Sequence, residues 1–449
     1  MKLGPTGLRA LAGRPGEGLR SVLANTSARG LALVGVTAGT IVVARLGGPA
    51  GVGIYALLRM LPGLVGVLSV AGLPGALAYF LSPSRRDTPG LAPTLAAIAV
   101  AGALLGTGLW LAATPLIAQV FFPHYPVWVV GLAGLTVATQ LLLTLGKTTL
   151  QGIHDSRGGD AIIAAEEIGF LPFYLLALAA GSGGTLAVVV GLGLADVAVG
   201  IAAWVRVARR LGWTRSGVIH ALRTRPDRRV AREVVGYGSR GQLGGVITLL
   251  NLRLDFAILD ALVGPAALGA YAVASKYAEL LRLPGTALTW VTYPRLAARS
   301  PETARRHARS LVRPTLVAIV VAAVPAALLA GPVIHLLYGG RFASAVVPAQ
   351  ILVAGMLVSG AAGVASGYLY AGGRPGLNSV ATGVGLLVTT VLDILLIPAH
   401  HALGASIAST TAYLVTDVLL VVLLLRLTRP APPRVAAPVT TAPTVGSTP

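Results

Sequence analysis

The 449-residue chain contains no cysteine and few charged residues. The absence of cysteine excludes disulfides, zinc–thiolate sites and cysteine nucleophiles. Asp, Glu, Lys and Arg make up 11% of the chain, against roughly 25% in an ordinary soluble domain. Hydrophobic residues make up 55%, which is more apolar surface than a water-soluble core can bury. The composition therefore predicts an integral membrane protein.

Acidic residues are the scarcest charged class, with 15 Asp and Glu against 35 Lys and Arg and a net charge of +20. In a soluble protein this excess would suggest nucleic-acid binding. Here the basic residues lie in short runs between apolar stretches, a pattern typical of membrane topology. We therefore expect no nucleic-acid partner.

Stretches of about 20 mostly apolar residues can cross a bilayer as helices. Twelve such stretches are predicted, at 22–44, 54–81, 91–114, 127–146, 161–180, 186–205, 234–256, 268–292, 314–337, 347–370, 380–397 and 405–425. The fold class is thus all-α integral membrane with twelve transmembrane helices.

The distribution of basic residues predicts the orientation, because Lys and Arg beside spans stay on the cytoplasmic side. With both termini inside, the outer loops carry only Arg45 and Arg341, while most of the 35 basic residues lie in the inner segments. We expect a multi-pass protein of the inner (plasma) membrane with both termini cytoplasmic.

An internal repeat predicts two lobes. Leu46 to Tyr55 recurs as Leu262 to Tyr271, with matching Leu, Pro, Gly and Tyr all displaced by 216 positions. An even number of spans separates the copies, so the two six-helix lobes face the same way, related by a pseudo-two-fold axis along the membrane normal. The predicted parts are a basic N-terminus (1–21), N-lobe (22–205), basic linker (206–233), C-lobe (234–426) and disordered tail (427–449).

Basic side chains inside spans are candidate functional residues, because burying charge in a membrane is costly. Arg59 and Lys276 follow the repeated Gly-x-Tyr by four and five residues, so they hold near-equivalent positions in the two lobes. Arg29 and Asn25 on the first span could face the same space. Together they would form a cationic patch suited to a phosphate. The alternative is snorkelling to the membrane interface.

Other intramembrane charges have more structural interpretations. Arg240 is a further candidate for the pyrophosphate-binding cavity, although the glycines around it also suit close helix packing. Glu279 can pair within its own helix with Lys276 or Arg282, at i−3 and i+3. Arg253 and Asp255 are expected at the interface. Three more carboxylates would be interhelical contacts or proton-coupling groups: Asp196, Asp393 and Asp417.

The candidate catalytic, metal-binding and nucleotide-binding motifs each lack a required residue or spacing. Gly146-Lys147-Thr148-Thr149 resembles the end of a P-loop, but Leu141 stands where the first glycine is required. His154-Asp155 and His400-His401 lack metal-ligand spacing. We predict no enzyme activity, no catalytic residue, no cofactor and no metal site.

Several short motifs carry a resemblance that covers about residues 20 to 425. They are Ala-Arg-Leu-Gly at the end of the first span, Gly-x-Tyr at the start of the second, Tyr293-Pro294 at the end of the eighth and Leu337-Tyr338-Gly339 after the ninth. The chain resembles the polysaccharide-export branch of the multidrug/oligosaccharidyl-lipid/polysaccharide exporter superfamily, which includes O-antigen flippases and lipid II flippases. The resemblance implies a MATE-like bundle that moves lipid-linked sugars by alternating access. It also implies cavity-facing cations at Arg59, Lys276 and, approximately, Arg29.

The expected function is to flip a polyprenyl-pyrophosphate-linked oligosaccharide for cell-surface polysaccharide biosynthesis. Expected partners are that substrate, membrane lipid, a polysaccharide polymerase and glycosyltransferases. A lipid II flippase is disfavoured because no apolar stretch follows Arg426 to supply its two usual extra helices. An ion-coupled multidrug exporter is disfavoured because the first span has no acid. A third alternative is a non-transporting membrane scaffold that binds partners through its basic loop.

Overall fold

The computed structural model describes residues 15–427, except 71, 83–84, 215, 217–222 and 298. Within that range, the side chains of 15–29, of Arg240 and of most positions in 283–295 lie outside the description. The N-terminus up to residue 14, part of the linker and the tail from residue 428, on which predictions were made, also lie outside it.

The described chain is helical, with no strand in these ranges. The helices are α1 (Pro15–Ser69), α2 (Leu73–Phe80), α3 (Leu91–Phe121), α4 (Val127–Leu132), α5 (Leu135–Gly152), α6 (Ser156–Ala179), α7 (Gly184–Leu211), α8 (Arg228–Val263), α9 (Pro265–Ala297), α10 (Pro301–Tyr338), α11 (Val346–Gly355), α12 (Ser359–Ala371) and α13 (Pro375–Leu427). A short 3₁₀ helix, Gly340–Ala345, precedes α11.

Seven helices in the described ranges are long and apolar enough to cross a membrane, or eight if the bent pair of α11 and α12 is one span. Two of the seven, α1 and α13, are interrupted at Gly48 and His401, where the backbone is not helical. The helices α8 and α9 are also long enough, but they carry more charge. Twelve spans result only when the bent pair, both breaks and both charged helices are counted. The all-α membrane architecture predicted from the composition is confirmed.

The outer faces of the bundle are apolar. Leu104, Leu328 and Leu336 are each at least 70% exposed, although a soluble protein would bury most such side chains. In a membrane these faces contact lipid tails, so their apolar side chains need not be buried in a hydrophobic core. The buried interior instead contains polar side chains, of which Asp393 and Ser406 have no exposed surface.

The two copies of the repeated motif pack against each other. A Cβ atom added to Gly53 would lie 2.0 Å from the carbonyl oxygen of Pro265, and one added to Gly269 would lie 1.8 Å from that of Pro49. Since Gly53 and Gly269 are displaced by 216, as are Pro49 and Pro265, the contact is reciprocal. Reciprocal contacts of this kind arise across a two-fold axis.

The backbone before the two prolines explains why each copy has a glycine at that position. Gly48 has φ 63° and Gly264 has φ 108°, a region that side chains with a Cβ rarely occupy. Both positions interrupt or separate helices directly before Pro49 and Pro265, which open the next helical segments. The turn between consecutive spans is therefore built in the same way in both copies.

A second contact joins α8 to the far end of α1 and to α2. A Cβ atom on Gly72 would lie 2.0 Å from the carbonyl oxygen of Gly238, so the backbones touch. The Gln242 side chain donates to the carbonyl oxygen of Val67 at 2.6 Å. The rings of Tyr79 and Tyr237 stack with centroids 4.2 Å apart. Helices from the two halves of the chain thus meet at two places, and a central space lies between these two contacts.

Candidate functional site

A cavity of about 370 Å³ lies between these two contacts. Along α1 its lining includes Val36, Thr40 and Val52 and then extends from Tyr55 to Val67. On α8 it includes Leu249, Arg253 and Phe256. Helices α5, α6, α7 and α9 supply the remaining walls. The cavity is therefore enclosed by helices from both halves of the chain.

Arg59 and Lys276, the two cations placed at near-equivalent positions by the repeat, both line this cavity. Arg59 comes from α1 and Lys276 from α9. Their side chains are 28% and 33% exposed, so they reach the cavity while most of their surface is covered. The two side chains do not point to separate outer walls of the bundle, which was the arrangement that snorkelling would produce.

Each cavity cation is paired with a carboxylate. Arg59 donates to Tyr55 Oη at 2.9 Å and forms an ion pair with Glu167. Lys276 Nζ lies 2.9 Å from Glu279 Oε2, and Arg253 Nη1 lies 3.2 Å from Glu279 Oε1. An unpaired charge removed from water costs several kcal/mol, typically about 3–5 kcal/mol when one partner is deleted. Pairing avoids that cost.

Arg253 and Asp255 are not interfacial, contrary to the prediction. Arg253 lines the cavity, whereas Asp255 is 2% exposed. The Asp255 carboxylate accepts hydrogen bonds from Tyr271 Oη, from Ser409 Oγ at 3.1 Å and from its neighbour's backbone N–H at 2.9 Å. The helix α8 continues to Val263, eight residues beyond Asp255, and this length moves both side chains into the bundle.

Two cavity carboxylates were missed. Glu166 and Glu167 lie on α6, inside the predicted span 161–180, and both line the cavity. Lys147, assigned to a cytoplasmic loop from the sequence, is on α5 and contacts Glu166 at 2.6 Å. Two adjacent acidic residues within an apolar stretch could have been identified from the sequence as candidate site residues, since intramembrane acids are rare unless paired or functional.

The other predicted carboxylates occupy three separate places. Asp196 lines the central cavity and accepts a hydrogen bond from Thr139 at 3.3 Å. Asp393 is fully buried and accepts from Thr389 at 3.4 Å, while its Oδ1 atom has no partner in the described structure. Asp417 lines a different pocket together with Arg282. Whether they couple ions or only hold helices together stays a prediction.

Three predicted site residues fall outside the description. The side chains of Asn25, Arg29 and Arg240 lie outside the described part of the structure, although all three residues lie within helices. Their assignment to the phosphate site therefore remains a prediction.

Asp155 joins the ends of two helices outside the spans. It caps the N-terminus of α6 by accepting from the Gly158 N–H at 3.1 Å. It also accepts from Arg206 Nε at 2.7 Å and from Arg210 Nε at 3.0 Å, both on α7. The hydrogen bond from Arg206 is the largest cause that lowers the pKa of Asp155 to about 2, from an ordinary value of 3.8. This cluster is structural and lies apart from the cavity.

Comparison with known proteins agrees with this architecture. Residues 42–347 match the family described as "Polysaccharide biosynthesis protein". The "Probable low-salt glycan biosynthesis flippase Agl15" of Haloferax volcanii is 21% identical over 409 residues, which cover 89% of this chain and 81% of the relative.

Two solved structures share the fold. The lipid II flippase MurJ in an inward closed conformation has a TM-score of 0.71 at 13% identity, covering 91% of this chain and 87% of MurJ. An inward-facing multidrug-resistance MATE transporter has a TM-score of 0.68 at 13% identity, covering 91% and 98%. The predicted MATE-like membrane fold is thus confirmed. Because the family match spans about two thirds of the sequence, the chain belongs to the family described as "Polysaccharide biosynthesis protein".

Proposed function

We propose that the protein flips a polyprenyl-pyrophosphate-linked oligosaccharide from the cytoplasmic to the outer leaflet, for cell-surface polysaccharide biosynthesis. The observation that carries this proposal is the convergence of Arg59, Arg253 and Lys276 on one cavity. A pyrophosphate needs several donors of positive charge, and Arg offers a fork that matches two phosphate oxygens. The flippase relative from H. volcanii supports the same class of activity.

The ion pairs indicate how the pyrophosphate enters. Glu167 and Glu279 contact the cations in the way that phosphate oxygens would. The negative oxygens of the substrate replace these carboxylates as partners of the cations, so each cation remains paired throughout. The polyprenyl tail remains in lipid, since each buried methylene group favours an apolar environment by about 0.8 kcal/mol.

Alternating access requires that the two contacts beside the cavity open in turn. One is the reciprocal packing of Gly53 on Pro265 and of Gly269 on Pro49, and the other is the packing of Gly72 on Gly238. With both termini cytoplasmic, the first contact closes the outer side and the second the inner side. Glycosyltransferases on the cytoplasmic side and a polymerase outside are the partners that such a step would connect.

The test is glycan export by Lys276→Ala and Arg59→Ala variants in the native host. We expect each variant to lower surface glycan at least tenfold, because a lost charge-assisted contact of about 1.5–3 kcal/mol corresponds to a factor of ten or more. Lys276→Ala should still fold, since Glu279 keeps its contact with Arg253. Membrane levels of each variant are measured beside export.

The matched control is Arg229→Ala. The Arg229 side chain is 89% exposed, and among the ion pairs of the described residues its only partner is Glu233, at 3.5 Å. Export should be unchanged in this control. Normal export by Lys276→Ala, at normal membrane levels, would contradict the proposed role of the cavity.

A second candidate function is ion-coupled export of an organic cation. The observation in its favour is that Glu166, Glu167 and Asp196 all line the cavity. The absence of an acid from the first span therefore no longer argues against a drug exporter, because α6 and α7 supply the acids. Increased resistance to cationic drugs on expression, with no change in surface glycan, would favour this alternative.

A further inference from the structure

A second polar pocket lies entirely within helices that follow residue 228. Its volume is about 230 Å³, and its walls come from α8, α9, α12 and α13, with Met356 between α11 and α12. It shares no lining residue with the central cavity. The pyrophosphate site proposed above gives this pocket no role.

The pocket contains buried polar groups without partners. Asn251 is 7% exposed and Ser359 is 8% exposed. The Asn251 Oδ1 and Ser359 Oγ atoms have no hydrogen-bond partner in the described structure. A buried polar atom left unpaired costs about 1–3 kcal/mol, so a ligand that offers hydrogen bonds to both would recover that cost. These atoms distinguish the pocket from a packing defect lined by apolar side chains.

The chemistry of the lining favours a neutral, hydroxyl-rich ligand. One cation and one anion line the pocket, Arg282 and Asp417, so its formal charge is balanced. The remaining polar groups are mostly hydroxyls, among them those of Thr248 and Thr382. Tyr413 adds an aromatic ring, over which the Arg282 guanidinium carbon lies 5.8 Å from the centroid. Donors and acceptors of both kinds beside an aromatic face match the mixed polar and apolar surface of a sugar ring.

The position of the pocket suits a sugar that is attached to a pyrophosphate in the central cavity. The same two helices line both spaces, with Arg253 and Asn251 on α8 facing the cavity and the pocket, respectively. On α9, Lys276 lines the cavity and Arg282 the pocket. Six residues of helix separate these two cations, or about 9 Å along the axis at about 1.5 Å per residue. One or two sugar residues span such a distance.

We propose that this pocket binds a neutral sugar residue of the glycan, close to the pyrophosphate. The proposal rests on the proposed flippase function and deepens it, because it adds a subsite that selects the glycan by its hydroxyl groups. The central cavity would then hold the shared pyrophosphate, and the second pocket would distinguish one glycan from another.

The absence of cysteine from the chain allows a direct test with single thiols. Ser366→Cys places a thiol in the pocket, and Thr144→Cys places one in the central cavity. The purified full-length variants react with a small water-soluble methanethiosulfonate, with and without competitor. The competitors are inorganic pyrophosphate, galacturonate, and a panel of neutral hexoses, deoxyhexoses, N-acetylhexosamines and their disaccharides.

We expect at least one neutral sugar to slow modification of Ser366→Cys fivefold or more, without affecting Thr144→Cys. Adding Asn251→Leu to Ser366→Cys should abolish that protection. Protection of Ser366→Cys by pyrophosphate or galacturonate alone, or by nothing, would overturn the proposal. A thiol at 366 that reacts only after denaturation would overturn it too, since a pocket closed to the small reagent is closed to sugars.

The two thiols separate the two proposals. Pyrophosphate should slow modification of Thr144→Cys, whatever happens at Ser366→Cys. Loss of this effect, with sugar protection intact, would refute the pyrophosphate site and leave the pocket as a sugar site of unknown purpose. The reverse result would refute only the sugar pocket.

Discussion

The substitution Glu279→Gln tests whether cavity carboxylates hold the cations in place of substrate. Glu279 contacts Lys276 at 2.9 Å and Arg253 at 3.2 Å, so the neutral amide would leave two cations facing the cavity without an acid. In the wild type a pyrophosphate must displace at least one of these contacts. A hydrogen bond between charged groups contributes about 1.5–3 kcal/mol net. The variant should therefore bind pyrophosphate about 10- to 100-fold more tightly, at about 1.4 kcal/mol per factor of ten.

The assay is calorimetric titration of inorganic pyrophosphate into purified protein in nanodiscs, at constant ionic strength because salt screens the interaction. Glu233→Gln is the control, since that carboxylate is 56% exposed and pairs with Arg229 at the surface. Thermal unfolding should show that Glu279→Gln is folded. It should be less stable than the wild type, since Lys276 and Arg253 then repel each other.

Two results would refute the reasoning. Unchanged affinity in a folded Glu279→Gln variant would show that the carboxylate does not compete with the anion. Weaker affinity would show that Glu279 orients the cations for the substrate, and does not stand in for it. In either case the ion pairs would be structural elements of the cavity wall.

Two further substitutions test the frame around the cavity. Gly53→Ala places a methyl group 2.0 Å from the Pro265 carbonyl oxygen, which forces the helices apart and costs about 1–3 kcal/mol. The melting temperature, followed by tryptophan fluorescence, should therefore fall. Gly47→Ala is the control and should leave it unchanged, because no atom lies within 4 Å of its added carbon. Equal melting temperatures for the two variants would contradict this packing. Asp155→Asn should lower stability near neutral pH by about 1–2 kcal/mol, allowing for the solvent exposure of its two arginine partners. In the folded protein the pKa of Asp155 is lowered to about 2 from 3.8. The wild type should therefore lose its extra stability over Asp155→Asn as pH falls from about 4 to about 2. A stability difference that persists in full at pH 2 would contradict the pairing of Asp155 with the two arginines.

The fold could be predicted from sequence because hydropathy and internal repetition are local or periodic signals. Each of the twelve predicted ranges overlaps helices of the structure, although 54–81, 127–146 and 347–370 each cross a short break between two helices. The displacement of 216 between Leu46 to Tyr55 and Leu262 to Tyr271 predicted two lobes related by a two-fold axis. The reciprocal contact of these two segments in the structure agrees with such an axis. Helix ends were less accurate, because charged ends extend beyond the apolar core. That error placed Asp255 at the interface although α8 continues to Val263.

The site was predictable only where its contacts are local along the chain. The pairing of Lys276 with Glu279 followed from their i,i+3 spacing on one helix. The pair of Arg59 and Glu167 joins residues 108 positions apart, and no periodicity connects them. Lys147 and Glu166 form a similar pair between two helices. Such partners become visible only when the packing of α1, α5 and α6 is known.

The paired charges also bear on how a flippase can release what it binds. A cavity of unpaired cations would hold a pyrophosphate tightly, because removing the anion would expose buried charge, at a cost of several kcal/mol. Transport instead requires binding strong enough for entry and weak enough for exit. Carboxylates such as Glu167 and Glu279, which lie within contact of the cations, can take them back as the substrate leaves. Under the proposed function, the acids would reduce the affinity for the substrate and permit turnover. This role would account for the nearly balanced charge of the residues that line the cavity.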